Sequence, residues 1–180
     1  NCCTYQKKTV PLQRETNYHS IHMKTATLKT LEQTDNVSLY SICFNGEAIS
    51  EYEAFLLKFK EDAKLNEDYK KIILALEKIV AVGAFVRFFR PEGKMNDHVA
   101  ALSIDSRKLR LYCLRISDQI LIVGNGGVTT SRTYQENEEL SGYVMDLQEF
   151  DKLLAEAQKD GSITIEKNVI TGIESKVFQL

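Results

Sequence analysis

Two stretches of alternating apolar and polar residues open the patterned part of this sequence. They run from Lys24 to Leu31 and from Val37 to Phe44, and the residues between them, Thr34-Asp35-Asn36, favour turns. Period-two alternation is typical of a strand with one buried face. The pattern therefore predicts an antiparallel strand pair, with one strand at the edge of a sheet.

Helical spacing follows at once. Apolar residues recur at intervals of three and four over 49–63 and again over 69–80. Ser50 and Glu53 have the spacing of a capping box. The two helices are joined by a short turn, so we expect an antiparallel helical hairpin whose apolar faces cover a sheet.

The ends of the later helices also carry sequence signals. Asn66 is the expected N-cap of the second helix and Gly83 its end, whereas Asp146 and Glu149 are the expected cap and N3 positions of a third helix that ends at Gly161. Residues 129–139, before this third helix, are polar and are expected to form a loop.

Three further strand-like runs, 99–104, 109–116 and 119–123, are separated by connections of hairpin length. The run Ile120–Val123 is apolar on both faces and is expected to be central, with cover on both sides. The tail after Gly161 is expected to be a short hairpin or an added strand. The predicted fold class is α+β, an antiparallel sheet packed by a helical hairpin, with extra N-terminal strands and a C-terminal helix plus hairpin.

Composition narrows the class of protein. The chain has 180 residues, 43% hydrophobic and 27% charged, with a net charge of −2, which excludes a disordered acidic tail, a collagenous chain and a histone-like protein. Residues 1–22 are unpatterned and are expected to be a flexible leader to a single domain at 23–180; the leader is either native or lies upstream of a natural start at Met23. The longest apolar run, 79–86, is too short for a membrane span, so we expect a cytoplasmic protein without a membrane partner.

Cofactor motifs are weak in this sequence. Gly124-Asn125-Gly126-Gly127 lacks the residues that complete a phosphate loop or a dinucleotide fingerprint, so these glycines are expected to allow a sharp turn or a close approach. His19 and His22 supply two ligands, whereas a metal site needs three or four, so no metal site is expected. The four cysteines form no CxxC pair, and Cys43 and Cys113 are expected to be reduced, structural thiols. No cofactor is expected.

Basic residues gather in the segment 84–115. It contains seven basic and three acidic side chains, a net charge of +4 in a chain whose total is −2. Such a cluster on one sheet is typical of a surface that faces a polyanion. The alternative is that these side chains only form surface ion pairs with acidic helices.

The segment Arg107–Arg115, followed by Asp118–Ser131 and the acidic stretch Glu136–Leu140, resembles the RelE/ParE toxin superfamily, in particular its HigB-like and phage-derived branch. The resemblance covers about residues 51–140. The order of a strand, a helical hairpin and three antiparallel strands also supports it. Arg110 and Tyr112 match the family element in which an arginine precedes an aromatic residue on a strand.

The resemblance implies a type II toxin, a metal-independent endonuclease that cleaves messenger RNA on the ribosome and inhibits translation. Its partners would be messenger RNA and an antitoxin, a helix-turn-helix protein encoded by the adjacent gene. We expect Arg110, with Arg90 and Lys94, to hold the phosphate, His98 or Tyr112 to transfer protons, and Tyr134 to stack on a base. The expected catalytic residues are Arg110, Lys94, His98 and Tyr112, and the expected RNA contacts are Arg87, Arg90, Arg132 and Tyr134.

Three positions depart from the family pattern. Ser103 stands where the family has an arginine, and Thr129 and Thr130 stand where it has a lysine pair. Either Arg87, Arg90, Lys94 or Arg132 compensates for them, or the fold has been kept without the nuclease. The alternative function is therefore that of a catalytically silent RelE-fold protein that binds a protein or RNA.

Overall fold

The computed structural model describes residues 23–94, 96–105, 108–129 and 134–180. The chain is α+β, as the sequence predicts. In order, the described elements are β1 (Thr25–Gln33), β2 (Ser38–Phe44), α1 (Glu51–Phe59), α2 (Asn66–Val82), β3 (Phe89–Pro91), β4 (Val99–Leu102), β5 (Leu109–Arg115), β6 (Ile120–Val128), α3 (Glu138–Lys159), β7 (Thr164–Glu166), β8 (Val169–Thr171) and β9 (Phe178–Gln179). Short 3-10 turns lie at Val86–Phe88 and Tyr134–Glu136. The expected leader at 1–22 lies outside the described residues.

Seven strands form one sheet in the order β3-β4-β5-β6-β2-β1-β9. All neighbours are antiparallel except β2 and β6, which run parallel and join the two halves of the sheet. The predicted N-terminal strand pair is confirmed as β1 and β2. The expected edge position is wrong, because β2 pairs with β6 and β1 pairs with β9. Both alternatives for the tail occur, because β7 and β8 form a separate hairpin and β9 is an added strand beside β1.

The run Ile120–Val123 is central and fully buried, as its apolar character on both faces predicts. Ile120 and Ile122 belong to the core beneath α3, whereas Leu121 and Val123 belong to the core beneath α1 and α2. Because successive strand residues point to opposite faces, one continuous apolar strand supplies both cores.

Local capping explains where the first helix begins. The Ser50 hydroxyl accepts a hydrogen bond from the Glu53 amide (3.3 Å), and the Glu53 carboxylate accepts one from the Ser50 amide (2.7 Å). The predicted capping box is thus confirmed.

The end of α2 is also as predicted, since the helix ends at Gly83, with φ of +105°. Asn66 is not the N-cap of α2, since the cap is Leu65, whose amide is held instead by the Asp62 side chain.

The expected start of the third helix is wrong. Helix α3 begins at Glu138 with Asn137 as its N-cap, whose side chain accepts a hydrogen bond from the Leu140 amide (3.1 Å). Asp146 lies inside the helix and pairs with Lys24 (2.5 Å). The helix starts two turns earlier because Leu140 and Val144, both fully buried, extend its apolar face over the sheet.

Two cysteines lie in the described sheet, and both are buried free thiols, as expected. Burial raises the pKa of the Cys113 thiol, which keeps it protonated and unreactive. Among the described helices, none is both long enough and apolar enough to cross a membrane.

Candidate functional site

Strand β5 places Arg110 and Tyr112 on the face of the sheet that α3 covers. Leu109, Leu111 and Cys113 enter the core beneath α1 and α2, while Tyr112 enters the core beneath α3. By strand alternation, Arg110 lies on the same side as Tyr112. Three apolar residues therefore anchor the strand, and the intervening arginine is directed towards the α3 side.

Strand β3 adds a second arginine to this face. Phe89 is buried in the core beneath α1 and α2, so its neighbour Arg90 points to the other side. Arg90 is opposite Ala101 on β4, and Ala101 is opposite Tyr112 on β5. The small side chain of Ala101 thus separates the arginine of the edge strand from the buried tyrosine.

Tyr112 is the centre of this group. Its side chain is fully buried, and its ring meets that of Tyr134 edge-on, with 6.4 Å between the ring centroids. Burial raises the pKa of Tyr112, and the nearby positive charges of Arg110 and Arg90 oppose this rise. Both guanidinium groups are therefore close to the phenol, which stays protonated at neutral pH.

Glu92 completes the group and was not among the residues singled out from the sequence. Arg90 donates hydrogen bonds from Nε (2.8 Å) and Nη2 to the Glu92 Oε1 atom. Only 9% of the Glu92 side chain is exposed, against 54% for Arg90. The sequence signal for Glu92 is the spacing Arg-x-Glu at the end of β3, because residues two apart in extended chain lie on one face. We call Arg90, Glu92, Arg110, Tyr112 and Tyr134 the arginine cluster.

His98 and Lys94 lie elsewhere, beside α3. They line a cavity of about 330 Å³. The His98 Nδ1–H donates to Asp151 Oδ1 (2.8 Å), and the His98 backbone amide donates to Asp151 Oδ2 (3.1 Å). We call this cavity the histidine cleft; its lining residues are Lys94, Asn96, Asp97, His98, Gln148, Asp151, Lys152 and Ala155.

The surroundings of His98 favour its charged form. The pKa of His98 is raised, chiefly by the hydrogen bond to Asp151, with smaller contributions from the charges of Asp151 and Asp97. Burial and the charge of Arg115 oppose the rise. The sequence offered no partner for this histidine, because Asp151 is 53 residues away and on a helix.

Arg110 and His98 lie at opposite ends of β5, whereas the Glu92 side of the arginine cluster is close to the histidine cleft, since the Glu92 amide donates to the Val99 carbonyl (3.2 Å). The His98 carbonyl accepts a hydrogen bond from the Arg115 amide (2.9 Å), so His98 is level with Arg115 on β5. Arg110 is five residues further along the same strand, a distance of about 17 Å. The expected catalytic residues thus divide into two pairs, Arg110 with Tyr112 and Lys94 with His98.

Of the remaining expected contacts, Arg87 falls outside both sites. Arg87 lies in the 3-10 turn before β3, exposed, with its guanidinium over the rings of Phe85 (4.8 Å) and Phe88 (4.9 Å). Arg132 lies outside the described residues. Of the three departures from the family pattern, Ser103 is exposed, and its amide donates to the Phe88 carbonyl (2.8 Å). Thr129 is buried, and its amide donates to the Lys108 carbonyl (2.7 Å). Thr130 lies outside the described residues.

The glycine-rich stretch lies inside β6 rather than in a turn. Gly126 is opposite Leu111, and two residues, Gly124 and Asn125, stand opposite Tyr112 alone, which is a β-bulge. A Cβ atom on Gly126 would be 1.9 Å from the Arg110 carbonyl oxygen. The close approach expected from these glycines is confirmed, and it occurs beside the arginine cluster.

In chemical terms, the two sites have different capacities. Guanidinium groups bind phosphate oxygens, and a histidine held by a carboxylate can transfer a proton. Within the described ranges, no three His, Cys, Asp or Glu side chains come together as ligands for a metal ion. Comparison with protein-family models, with curated proteins and with solved structures finds no significant match to this chain.

Proposed function

We propose that this protein is a RelE-like toxin of a type II toxin–antitoxin system, which cleaves messenger RNA on the ribosome and so inhibits translation. The observation that carries the proposal is the convergence of Arg90 and Arg110 on one face of the sheet, around the buried Tyr112. These arginines come from neighbouring parts of the segment with a net charge of +4.

The order of elements supports the same proposal. Strand β2 is followed by helices α1 and α2 and then, after the short strand β3, by the antiparallel strands β4, β5 and β6. This is the order on which the resemblance to the RelE/ParE superfamily rests. The N-terminal strand pair, helix α3 and the elements β7 to β9 are the additions to the minimal toxin.

The proposed chemistry needs no metal ion. The 2′-hydroxyl of RNA attacks the adjacent phosphorus, and cations stabilise the negative charge that develops on the phosphate oxygens. Arg90 and Arg110 are suited to bind phosphate because a guanidinium group presents paired donors in a plane. Tyr112 is fully buried and has, in this proposal, a packing role beside Arg110.

The proposal is tested by expressing the full chain from an inducible promoter in a bacterial host. We expect growth arrest, loss of protein synthesis and new 5′ ends in messenger RNA by primer extension. Arg110→Ala should abolish the growth arrest without a change in the folded circular dichroism spectrum. Lys70→Ala, an exposed lysine of α2 on the opposite side of the sheet, is the matched control and should arrest growth like the wild type.

The partner is tested in the same system. Co-expression of the protein encoded by the adjacent gene should restore growth, and the two proteins should co-purify. We propose a helix-turn-helix protein in this role.

The growth assay also tests Arg110 itself. If a folded Arg110→Ala variant still arrests growth, Arg110 is not part of the site.

The second candidate function is that of a catalytically silent RelE-fold protein that binds RNA or a protein. The full burial of Tyr112 favours it, because a buried phenol with a raised pKa does not exchange protons with a bound RNA. Normal growth and intact messenger RNA, with retention of RNA by the purified protein, would establish this alternative. In that case Arg110→Ala should weaken RNA binding.

A further inference from the structure

In the histidine cleft, two hydrogen bonds to Asp151 fix the orientation of His98. Asp151 accepts one hydrogen bond from the His98 ring and another from its backbone amide, at 2.8 and 3.1 Å. The Asp151 side chain is only 11% exposed, which limits its movement. When a carboxylate holds one ring nitrogen, the other nitrogen is left to exchange a proton with a ligand.

The imidazole is also accessible. Half of the His98 side chain is exposed, and the ring borders both the cavity of about 330 Å³ and a second one of about 190 Å³. Lys94 borders the larger cavity. Asp97 lies between Lys94 and His98 in sequence and holds both ends of this segment. Its carboxylate accepts hydrogen bonds from the amides of Lys94 (2.7 Å) and Val99 (3.1 Å) and from the Gln148 side chain (2.9 Å).

Arg110 and His98 are too far apart to act on one phosphate group. The backbone of β5 spans about 17 Å between Arg110 and the level of His98, whereas a proton donor must come within about 3 Å of the reacting oxygen. A single RNA strand laid along this side of the sheet could meet both residues. The phosphate held by Arg110 would then differ from the phosphate that is cleaved.

We propose that RNA is cleaved in the histidine cleft, where His98 donates a proton to the leaving oxygen, Lys94 stabilises the phosphate charge and Asp151 is a positioning residue. Arg110 binds another phosphate further along the same RNA strand. This inference rests on the proposed function and adds the location of its catalytic centre.

The step balances as a transesterification. The 2′-oxygen forms a bond to phosphorus, and its proton passes to solvent water. The bond from phosphorus to the 5′-oxygen breaks, and His98 Nε2 delivers its proton to that oxygen. The products are a 2′,3′-cyclic phosphate and a free 5′-hydroxyl, and His98 is left neutral until water reprotonates it.

The charged groups around His98 come from three elements. Lys94 and Asp97 lie in the turn before β4, Asp151 and Lys152 lie on α3, and Arg115 lies on β5. The pKa of His98 is raised, so the ring remains protonated to higher pH than an ordinary histidine. Loss of the Asp151 charge should lower that pKa, and cleavage should then decline at lower pH than in the wild type.

The test uses the purified full chain in a bacterial cell-free translation reaction with one defined messenger RNA. Cleavage is followed by primer extension, the 3′ ends are examined for cyclic phosphate, and RNA binding is measured with a labelled single-stranded oligonucleotide. The variants are His98→Gln, Asp151→Asn and Arg110→Ala, with Lys70→Ala as control. Thermal unfolding establishes that each variant is folded.

We expect His98→Gln to slow cleavage by about 100-fold or more while its Kd for RNA changes less than about twofold. Arg110→Ala should raise that Kd. Asp151→Asn should shift the pH profile of cleavage to lower pH; if this variant does not fold, the half-exposed His98→Gln carries the test alone.

The outcomes distinguish the two proposals. If the wild type cleaves and folded His98→Gln cleaves within threefold of it, the histidine cleft is not the catalytic centre and the proposed function stands. If the wild type leaves the messenger RNA intact, the proposed function fails and this inference fails with it. Products that carry a 5′-phosphate would also overturn the cyclising step.

Discussion

The carbonyl oxygen of Arg110 occupies the space that a side chain at residue 126 would need. A Cβ atom on Gly126 would be 1.9 Å from that oxygen, well inside any non-bonded contact. Strands β5 and β6 can pair beside the arginine cluster only because residue 126 has no side chain. The glycine that resembled part of a nucleotide-binding motif therefore has a structural role next to the candidate site.

We predict that Gly126→Ala destabilises the protein by about 3 kcal/mol or more, because either β5 or β6 must shift to admit the methyl group. Gly142→Ala is the matched control. It lies in α3 with no atom within 4 Å of its Cβ position, so it should stabilise the fold by up to about 1 kcal/mol. Urea unfolding of both variants measures the difference, and equal stabilities would contradict the close approach.

The pairing of His98 with Asp151 predicts how stability depends on pH. The folded state raises the pKa of His98, so the pair stabilises the fold below the ordinary histidine pKa of about 6.5. This contribution is lost as pH rises through the higher, folded-state pKa. The free energy of unfolding should therefore differ more between wild type and His98→Gln at about pH 5.5 than at about pH 9.

Urea unfolding at both pH values provides the measurement. The wild-type chain is the reference at each pH, so the other two histidines, which both proteins share, contribute equally and cancel. A difference that is independent of pH would show that His98 is not paired in solution.

The capping box at α1 predicts a contrast between two N-terminal positions. Ser50→Ala should lower the free energy of unfolding by about 1 kcal/mol, since it removes the acceptor for the Glu53 amide. Asn66→Ala should change it by less than about 0.5 kcal/mol, because Asn66 does not cap α2. Similar losses from both variants would indicate that Asn66 caps the helix after all. Thermal and urea unfolding provide the comparison.

Glu53 adds a prediction at acidic pH. Hydrogen bonds from Lys29 and Ser50 lower the pKa of Glu53 to about 2. The carboxylate thus contributes stability above its ordinary pKa of about 4.3, and this is lost as pH falls towards 2. Glu53→Gln should be less stable than the wild type at neutral pH, and the gap should close at about pH 2, as measured by urea unfolding.

The hairpin of β7 and β8 is tied to the main sheet by a buried hydrogen bond. The Ile170 amide donates to the Tyr40 hydroxyl at 3.0 Å, across 130 residues of sequence. Tyr40→Phe should cost about 1–3 kcal/mol because it leaves a buried amide without its acceptor. Tyr143→Phe, whose hydroxyl donates to Glu139 near the surface, should cost less than about 1 kcal/mol. Equal losses in urea unfolding would argue against a buried bond at Ile170.

Much of the fold was predictable because its signals are local. The apolar run at 120–123 predicts a central strand, and Ser50 with Glu53 predicts the start of α1, since each depends on neighbours in the chain. The predicted start of α3 failed because Asp146 has the chemistry of a cap but is paired with Lys24. Burial of Leu140 and Val144 against the sheet decided the true start.

The candidate site was predictable only as a set of residue types. The sequence alone determined an excess of positive charge between residues 84 and 115, and it placed arginines next to apolar strand positions. Tertiary structure decided which of these residues meet. Strand register brings Arg90 to Tyr112, and the packing of α3 brings Asp151 to His98, 53 residues away. Periodicity along a chain reports the face on which a side chain lies, whereas contacts between distant elements depend on the register and packing of the whole sheet.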